Sequence, residues 1–209
     1  MESPQKRDRI HIEGGAKLTL VFVCGLPGIG KSTLFKNTIE HWTNTGFNVV
    51  KVESDVIRQE AIRLEKLKPE NAHLTPLELE IKSKPVYTEM LHEEIREEIR
   101  ELSENEERSI FILDKNYVPE TLRQVIFDAA KVSFATDYQS FFILPQQSYD
   151  KDLAITYEEK ETPFYLDTLC ASMIRVFSRK GHMSLRHGHS HSFKCIVGVI
   201  RSYSGQSFE

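Results

Sequence analysis

The sequence predicts an α/β fold: a parallel sheet flanked by helices, with a helical, basic lid towards the C-terminus. Three observations predict it. Short apolar runs alternate with helical patterns along the chain, as in strands joined by crossover helices. The glycine-rich segment GLPGIGKST lies between the first apolar run and the first helical pattern. Late in the chain, Arg175 and Arg179 sit four residues apart, on one face of a helix, with Lys180, His182 and Arg186 following.

Taken in order, residues 1–17 read as a polar tail or linker with a Gly14-Gly15 pair, and 18–209 as one domain. Residues 18–24 are apolar and β-rich, a central strand. Residues 32–42 read as a helix ended near Gly46, and 47–52 as a second strand. Residues 54–66 form a helical pattern with Ser54 as its expected N-cap. Two prolines and an asparagine make 68–76 a loop. In 88–102, Leu91, Ile95, Ile99 and Leu102 recur at helical spacing, and Glu/Arg pairs give the helix a solvated face. A third strand is expected at 109–113, a helix at 119–130 with Pro119 in its first turn, and a fourth strand at 140–144. Residues 146–161 look irregular, and 163–177 and 193–203 helical.

Composition narrows the class. With 40% hydrophobic and 28% charged residues, the 209-residue chain has the make-up of a globular domain and not of a disordered one. A net charge of −4 provides no global field for nucleic acid, so any such contact must be a local basic site. Cys24, Cys170 and Cys195 lack metal spacing and an even-numbered framework, the pattern of a reduced intracellular protein, nuclear or cytoplasmic. The longest apolar stretch, 18–24, is too short to cross a bilayer, so no membrane partner is expected.

The pattern G-x-x-x-x-G-K-[ST] is met by Gly25, Gly30, Lys31 and Ser32, with Pro27, Gly28 and Ile29 inside the loop and Thr33 after it. A strand before and a helix after are what this phosphate cradle requires, and they specify a P-loop NTPase fold. Backbone N–H groups of the loop and the helix N-terminus face the phosphates of a nucleoside triphosphate. Lys31 is expected at the β- and γ-phosphates, and the Ser32 hydroxyl on Mg²⁺. The GTPase patterns D-x-x-G and N-K-x-D are absent from the sequence, and the chain is too short for a motor or transporter ATPase. Small kinases remain.

The acceptor would meet the ends of the next strands, where ligands sit in doubly wound sheets. Asp55 and Arg58 share one face at a helix start. The carboxylate can take a proton from an attacking hydroxyl, and the guanidinium can hold a phosphate. The third strand ends in a Walker B-like ILD, and Asp114 and Asn116 place further polar groups at the same crevice. Basic residues late in such folds, here Arg175 and Arg179, can stabilise charge on the transferring group.

Together these stretches resemble the polynucleotide 5′-kinase domain of tRNA ligases, most closely the plant type. GLPGIGKST is common to many kinases. Ile112-Leu113-Asp114-Lys115-Asn116 followed by Val118-Pro119-Glu120 is similar to that family's DKN-x-x-P/N-E segment. The stretch Thr162-Pro163-Phe164-Tyr165-Leu166-Asp167, followed by Arg175-Val176-Phe177-Ser178-Arg179 and His182, is similar to its lid. The resemblance implies transfer of the γ-phosphate of GTP or ATP to RNA 5′-OH ends, such as tRNA exon halves, with Asp55 as general base and Arg58 on the acceptor's phosphate. It also implies ligase and phosphoesterase domains as partners in a larger protein. The chain has no K-x-D-G ligase nucleophile.

Other readings use fewer residues. A small-molecule kinase and a nucleotide-binding module without catalysis fit the same P-loop. The triplets His73-Leu74-Thr75 and His182-Met183-Ser184 suit a two-histidine phosphoesterase, but they are short and lie in a proline-flanked loop and the lid. His187, His189 and His191 share one face if extended and could bind a metal, yet no fourth ligand is evident.

Overall fold

The computed structural model describes residues 12, 14–23, 25–28, 31–116, 118–143, 154–157, 160–165, 170, 173–174, 194 and 196–200. Four parallel strands form the main sheet: β1 (Leu18–Val23), β2 (Asn48–Glu53), β3 (Ser109–Asp114) and β4 (Tyr138–Ile143), in the order β2-β3-β1-β4. The inner strands LTLVFV and SIFILD are apolar almost throughout because both their faces are covered. The outer strands β2 and β4 are only partly buried.

The helices divide between the two faces as right-handed crossovers demand. From β1 to β2 the chain crosses by α1 (Lys31–Asn44). Phe35 and Trp42 of α1 pack with Val21, Val23, Ile110 and Ile112. From β2 to β3 it travels the opposite way, through α2 (Ser54–Lys66), a 3₁₀ turn (Pro69–Asn71), α3 (Pro76–Lys82) and α4 (Lys84–Ser103). From β3 to β4 it uses α5 (Glu120–Phe134). On this second face Leu91, Ile95, Ile99 and Leu102 of α4 and Leu122, Ile126 and Ala130 of α5 pack on Leu18, Leu20, Phe22, Phe111 and Leu113. Each of the large side chains among them contributes roughly 1.5–3 kcal/mol, so truncating Ile95 or Ile99 would open a cavity in the middle of the core. α5 ends at Ala135, a non-glycine residue with φ of 55°.

Several expectations are corrected. Ser54 is not an N-cap. β2 stays in register with β3 as far as Glu53↔Asp114, and the helix begins at once, with extended Glu53 at the cap position and no side-chain cap bond. The buried Ser54 hydroxyl instead donates to the Asp114 carbonyl at 3.0 Å. The expected loop ends earlier than its prolines suggest. Pro76 opens α3, where Thr75 and Glu78 form a reciprocal capping box. α4 starts at Lys84, not 88, with proline in its first turn, a position that needs no N–H.

Residues 154–157 and 160–165, which the sequence pattern makes irregular and then helical from 163, are extended. They form an antiparallel pair, β5 (Ala154–Tyr157) and β6 (Lys160–Tyr165), with an irregularity between Ala154 and Thr156. Thr162, Phe164 and Tyr165 favour extended backbone over a helix start. Helical backbone does occur at residues 170, 173–174, 194 and 196–200, inside the two late helices expected. Among the described residues no helix is long and apolar enough to cross a membrane.

Candidate active site

β1 and β3 are neighbours, yet the chain leaves their C-terminal ends towards opposite faces: β1 to α1, β3 to α5. Such a switch point leaves a crevice that ligands occupy in open α/β sheets. The glycine loop opens directly from β1. Gly25 and Gly28 have φ of 136° and 80°, backbone that side-chain-bearing residues rarely adopt. The Gly25 N–H donates to the Asn116 carbonyl at 3.4 Å, tying the loop to the chain beyond β3. Pro27 is buried and Gly28 half-buried in the same turn.

Lys31 is the first residue of α1, and its ammonium reaches back across the crevice. It donates to the Gly25 carbonyl at 3.1 Å, the Leu26 carbonyl at 2.8 Å and the Asn116 Oδ1 at 2.6 Å. Three donors thus have three acceptors. The charge is held at the mouth of the loop and away from the core. Ile29 and Gly30 lie outside the described residues, as do the side chains of Ser32 and Thr33, which occupy the first turn of α1.

β3 ends one strand from the loop, with Asp114 opposite both Val23 and Glu53. The half-buried Asp114 carboxylate receives the Lys51 ammonium at 2.9 Å, and Glu53 meets the same ammonium at 3.1 Å. Burial alone would lower the pKa of Lys51. The hydrogen bond and charge of Asp114, joined by those of Glu53, outweigh burial and leave it raised. Sequence reasoning passed over Lys51. Its signal is a lysine on the Val49 face of an otherwise valine-rich strand. An aspartate carboxylate and a serine hydroxyl are hard oxygen donors of the kind Mg²⁺ takes. Asp114 stands level with the end of β1, so the donor set fits that ion.

The flank where the sequence places the acceptor lies on the other side of β3. Asp55, in the first turn of α2, is exposed. One turn on, the Arg58 guanidinium lies 5.3 Å from the centroid of the Tyr87 ring and 3.9 Å from the Glu80 carboxylate. Lys115 occupies the same ring, 5.3 Å from its centroid, and donates to the Tyr87 hydroxyl at 2.9 Å. Tyr87 continues the buried stripe of α4 by one turn, four residues before Leu91. There the stripe is only partly buried: Tyr87 packs against the edge of the core and also meets the two cations. Tyr87 was not foreseen; it is the one Phe, Tyr or Trp in α4.

The structure therefore brings Lys31, Gly25 and Asn116 into direct contact and sets Asp114 beside them. Arg58 joins them through Tyr87 and Lys115. Asn116, expected at the acceptor, faces the loop lysine. Arg175, Arg179 and the stretch containing His187, His189 and His191 lie outside the described residues. Among the described residues no group of three or more His, Cys, Asp or Glu side chains could hold a metal.

No curated protein matches the sequence. A solved structure of a "putative kinase" from Chloroflexus aurantiacus matches with a TM-score of 0.39 and 13% identity, over 62% of this chain and 59% of that one. This chain thus spans less than two thirds of that structure's length. The family described as AAA domain (AAA_17) matches residues 24–148, from the glycine loop through β4 and more than half of the sequence. The chain belongs to that family, with a P-loop kinase-like fold suited to phosphotransfer from a nucleoside triphosphate.

Proposed function

We propose that the chain is a polynucleotide 5′-hydroxyl kinase acting on RNA ends in tRNA splicing or repair, with GTP or ATP as donor. The observation that carries this reading is the junction at the end of β3. Asn116 touches the loop lysine, and Lys115 before it touches the aromatic ring that also holds Arg58. Donor cradle and acceptor flank thus meet within two consecutive residues. β2 lies two strand spacings from β1, about 10 Å, so a base at the start of α2 stands well apart from the loop. That separation leaves room for a γ-phosphate and a hydroxyl between them.

The loop and the N-terminus of α1 bind the triphosphate through N–H groups and the helix dipole. An anionic phosphate exchanges neutral carbonyl partners of Lys31 for a charged one, a stronger bond. Asp55 takes the proton of the 5′-hydroxyl, and its oxygen attacks the γ-phosphorus. The bond from that phosphorus to the β,γ-bridging oxygen breaks, and the nucleoside diphosphate leaves. Ser32 and Asp114 would hold Mg²⁺, which when bound neutralises charge on the phosphates. Arg175 and Arg179 are the proposed lid over the transferring group, and ligase and phosphoesterase domains the proposed partners in a larger protein.

The test is transfer of label from γ-labelled ATP and GTP to a 5′-OH oligoribonucleotide, set against nucleosides, nucleotides and sugars. Labelled 5′-phosphate on the oligonucleotide is expected. Labelling of small acceptors alone would make the chain a metabolite kinase. Nucleotide binding without transfer to any acceptor would make it a binding module.

A further inference from the structure

Arg58, Tyr87 and Lys115 come from three separate segments and converge on one aromatic ring. Their charge is poorly balanced. The Arg58 ion pair with Glu80 is long, at 3.9 Å. Among the described residues the Lys115 ammonium has a neutral hydrogen-bond partner, the Tyr87 oxygen, and no carboxylate within 4.0 Å. Two half-buried cations on one ring repel each other, and the ring quadrupole offsets only part of that repulsion. An anion that reaches both offsets it further. The phenol oxygen accepts from Lys115, so its own proton is left to donate. Guanidinium, ammonium and phenol O–H together make a donor set for a phosphate.

Position selects which phosphate. Lys115 is adjacent in the chain to Asn116 at the donor loop, and Arg58 is one turn beyond Asp55. The cluster thus lies past the place of the attacking hydroxyl, on the side away from the triphosphate. We propose that Arg58, Lys115 and Tyr87 form a clamp for the first internucleotide phosphate of the acceptor, with Lys115 and Tyr87 as its specificity-determining residues. This rests on the polynucleotide reading above. The clamp favours acceptors with an anionic group at that linkage and gives the enzyme no advantage on a bare nucleoside.

The experiment uses 5′-OH oligoribonucleotides with a neutral methylphosphonate at either the first or the second linkage. They are compared with the all-phosphate parent for the wild type, Lys115→Met and Tyr87→Phe. Circular dichroism and the KM for nucleoside triphosphate check that each variant is folded and binds donor. In the wild type, neutralising the first linkage is expected to lower kcat/KM roughly ten- to a hundred-fold, as for loss of hydrogen bonds to a charged group. Neutralising the second linkage should do much less. Lys115→Met should lose a similar factor on the parent and show little further loss on the first-linkage methylphosphonate. Tyr87→Phe, which keeps the ring, should show a smaller loss of the same kind. The salt dependence of kcat/KM should be shallower for Lys115→Met.

If the wild type phosphorylates parent and first-linkage methylphosphonate equally, the clamp is overturned while the kinase reading stands. The clamp is overturned in the same way if Lys115→Met keeps the full first-linkage discrimination. If no oligonucleotide is phosphorylated but a small metabolite is, the polynucleotide reading fails and the clamp with it.

Discussion

The two halves of the crevice are built differently. The donor loop hangs from β1, which is paired on both sides, and its lysine is fixed by three oxygens from a few ångströms around it. The acceptor flank hangs from β2, which among the described residues is paired on one side only, and its cations rest on a ring and a long ion pair. One half is a prebuilt receptacle for a constant group, the triphosphate. The other is held by contacts that an incoming anion can outcompete. Under the proposed reading, a kinase that meets one donor but many acceptor ends is served by that asymmetry.

The largest effect expected is on the acceptor side of the chemistry. Asp55→Asn keeps the shape of the side chain but cannot take a proton, and turnover should fall about 10²–10⁴-fold with the KM for nucleotide unchanged. Full kcat in this variant would reduce Asp55 to a helix-end charge and break the division proposed here. On the donor side, Lys31→Ala should cost about 10²–10³ in turnover, the scale for one lost electrostatic contact to a transferring phosphoryl group. Its folding should be near wild type, because the ammonium sits at the loop mouth. The contrast is sharpest in nucleotide binding, which should weaken in the lysine variant and hold in the aspartate one. Calorimetric titration with a non-hydrolysable triphosphate measures both.

The donor half could be read from the sequence because its chemistry is contiguous. Eight residues between a strand and a helix specify the loop, its glycines and its lysine. Asp55, Arg58 and Asp114 could be singled out as candidates, since each lies at a strand end or in the first turns of the helix that follows one. Lys51 and Tyr87 were not. Lys51 matters because β2 and β3 run in register to their last residues, and a local pattern does not state that pairing. Tyr87 looks like the last member of a core stripe. Only the fold reveals that this partly buried member also meets Arg58 and Lys115, and the helix start was hidden by Pro85. The hairpin of β5 and β6 was missed because Pro163 reads equally well as a helix start or as a proline in a strand.

A smaller effect concerns what braces the acceptor flank. Glu65 and Asn71 are buried at the turn between α2 and α3. The Glu65 carboxylate takes the Lys68 ammonium and the Asn71 amide, and Lys82 at the end of α3 bonds the Asn71 oxygen. The Lys68 hydrogen bond, the largest influence, holds the Glu65 pKa below the usual carboxylate value. A depressed folded pKa means that the stability from this group is present above the unfolded value. It is lost as pH falls through the folded one. The stability gap between wild type and Glu65→Gln should therefore be open at pH 7 and close on acidification below about pH 4. Thermal melts of the two proteins across that range measure it. A gap that does not change with pH would detach the brace from its charge. At neutral pH, Glu65→Gln should raise the KM for the acceptor more than that for nucleotide, since α3 carries the Glu80 that meets Arg58.

Ala135 closes α5 with φ of 55° and ψ of −102°, on the far side of the domain from this chemistry, just before β4 begins at Tyr138. A Cβ makes that backbone costly, and glycine would relieve it, so Ala135→Gly should stabilise the fold by about 1 kcal/mol. In a melt this is roughly 2–4 °C for a chain of this size. Mutational robustness follows from that small number. A background carrying Ala135→Gly would tolerate about one more destabilising change elsewhere before unfolding at a given temperature. That margin would let the acceptor flank be rebuilt, by selection or by hand, while the loop that holds the triphosphate stays as it is.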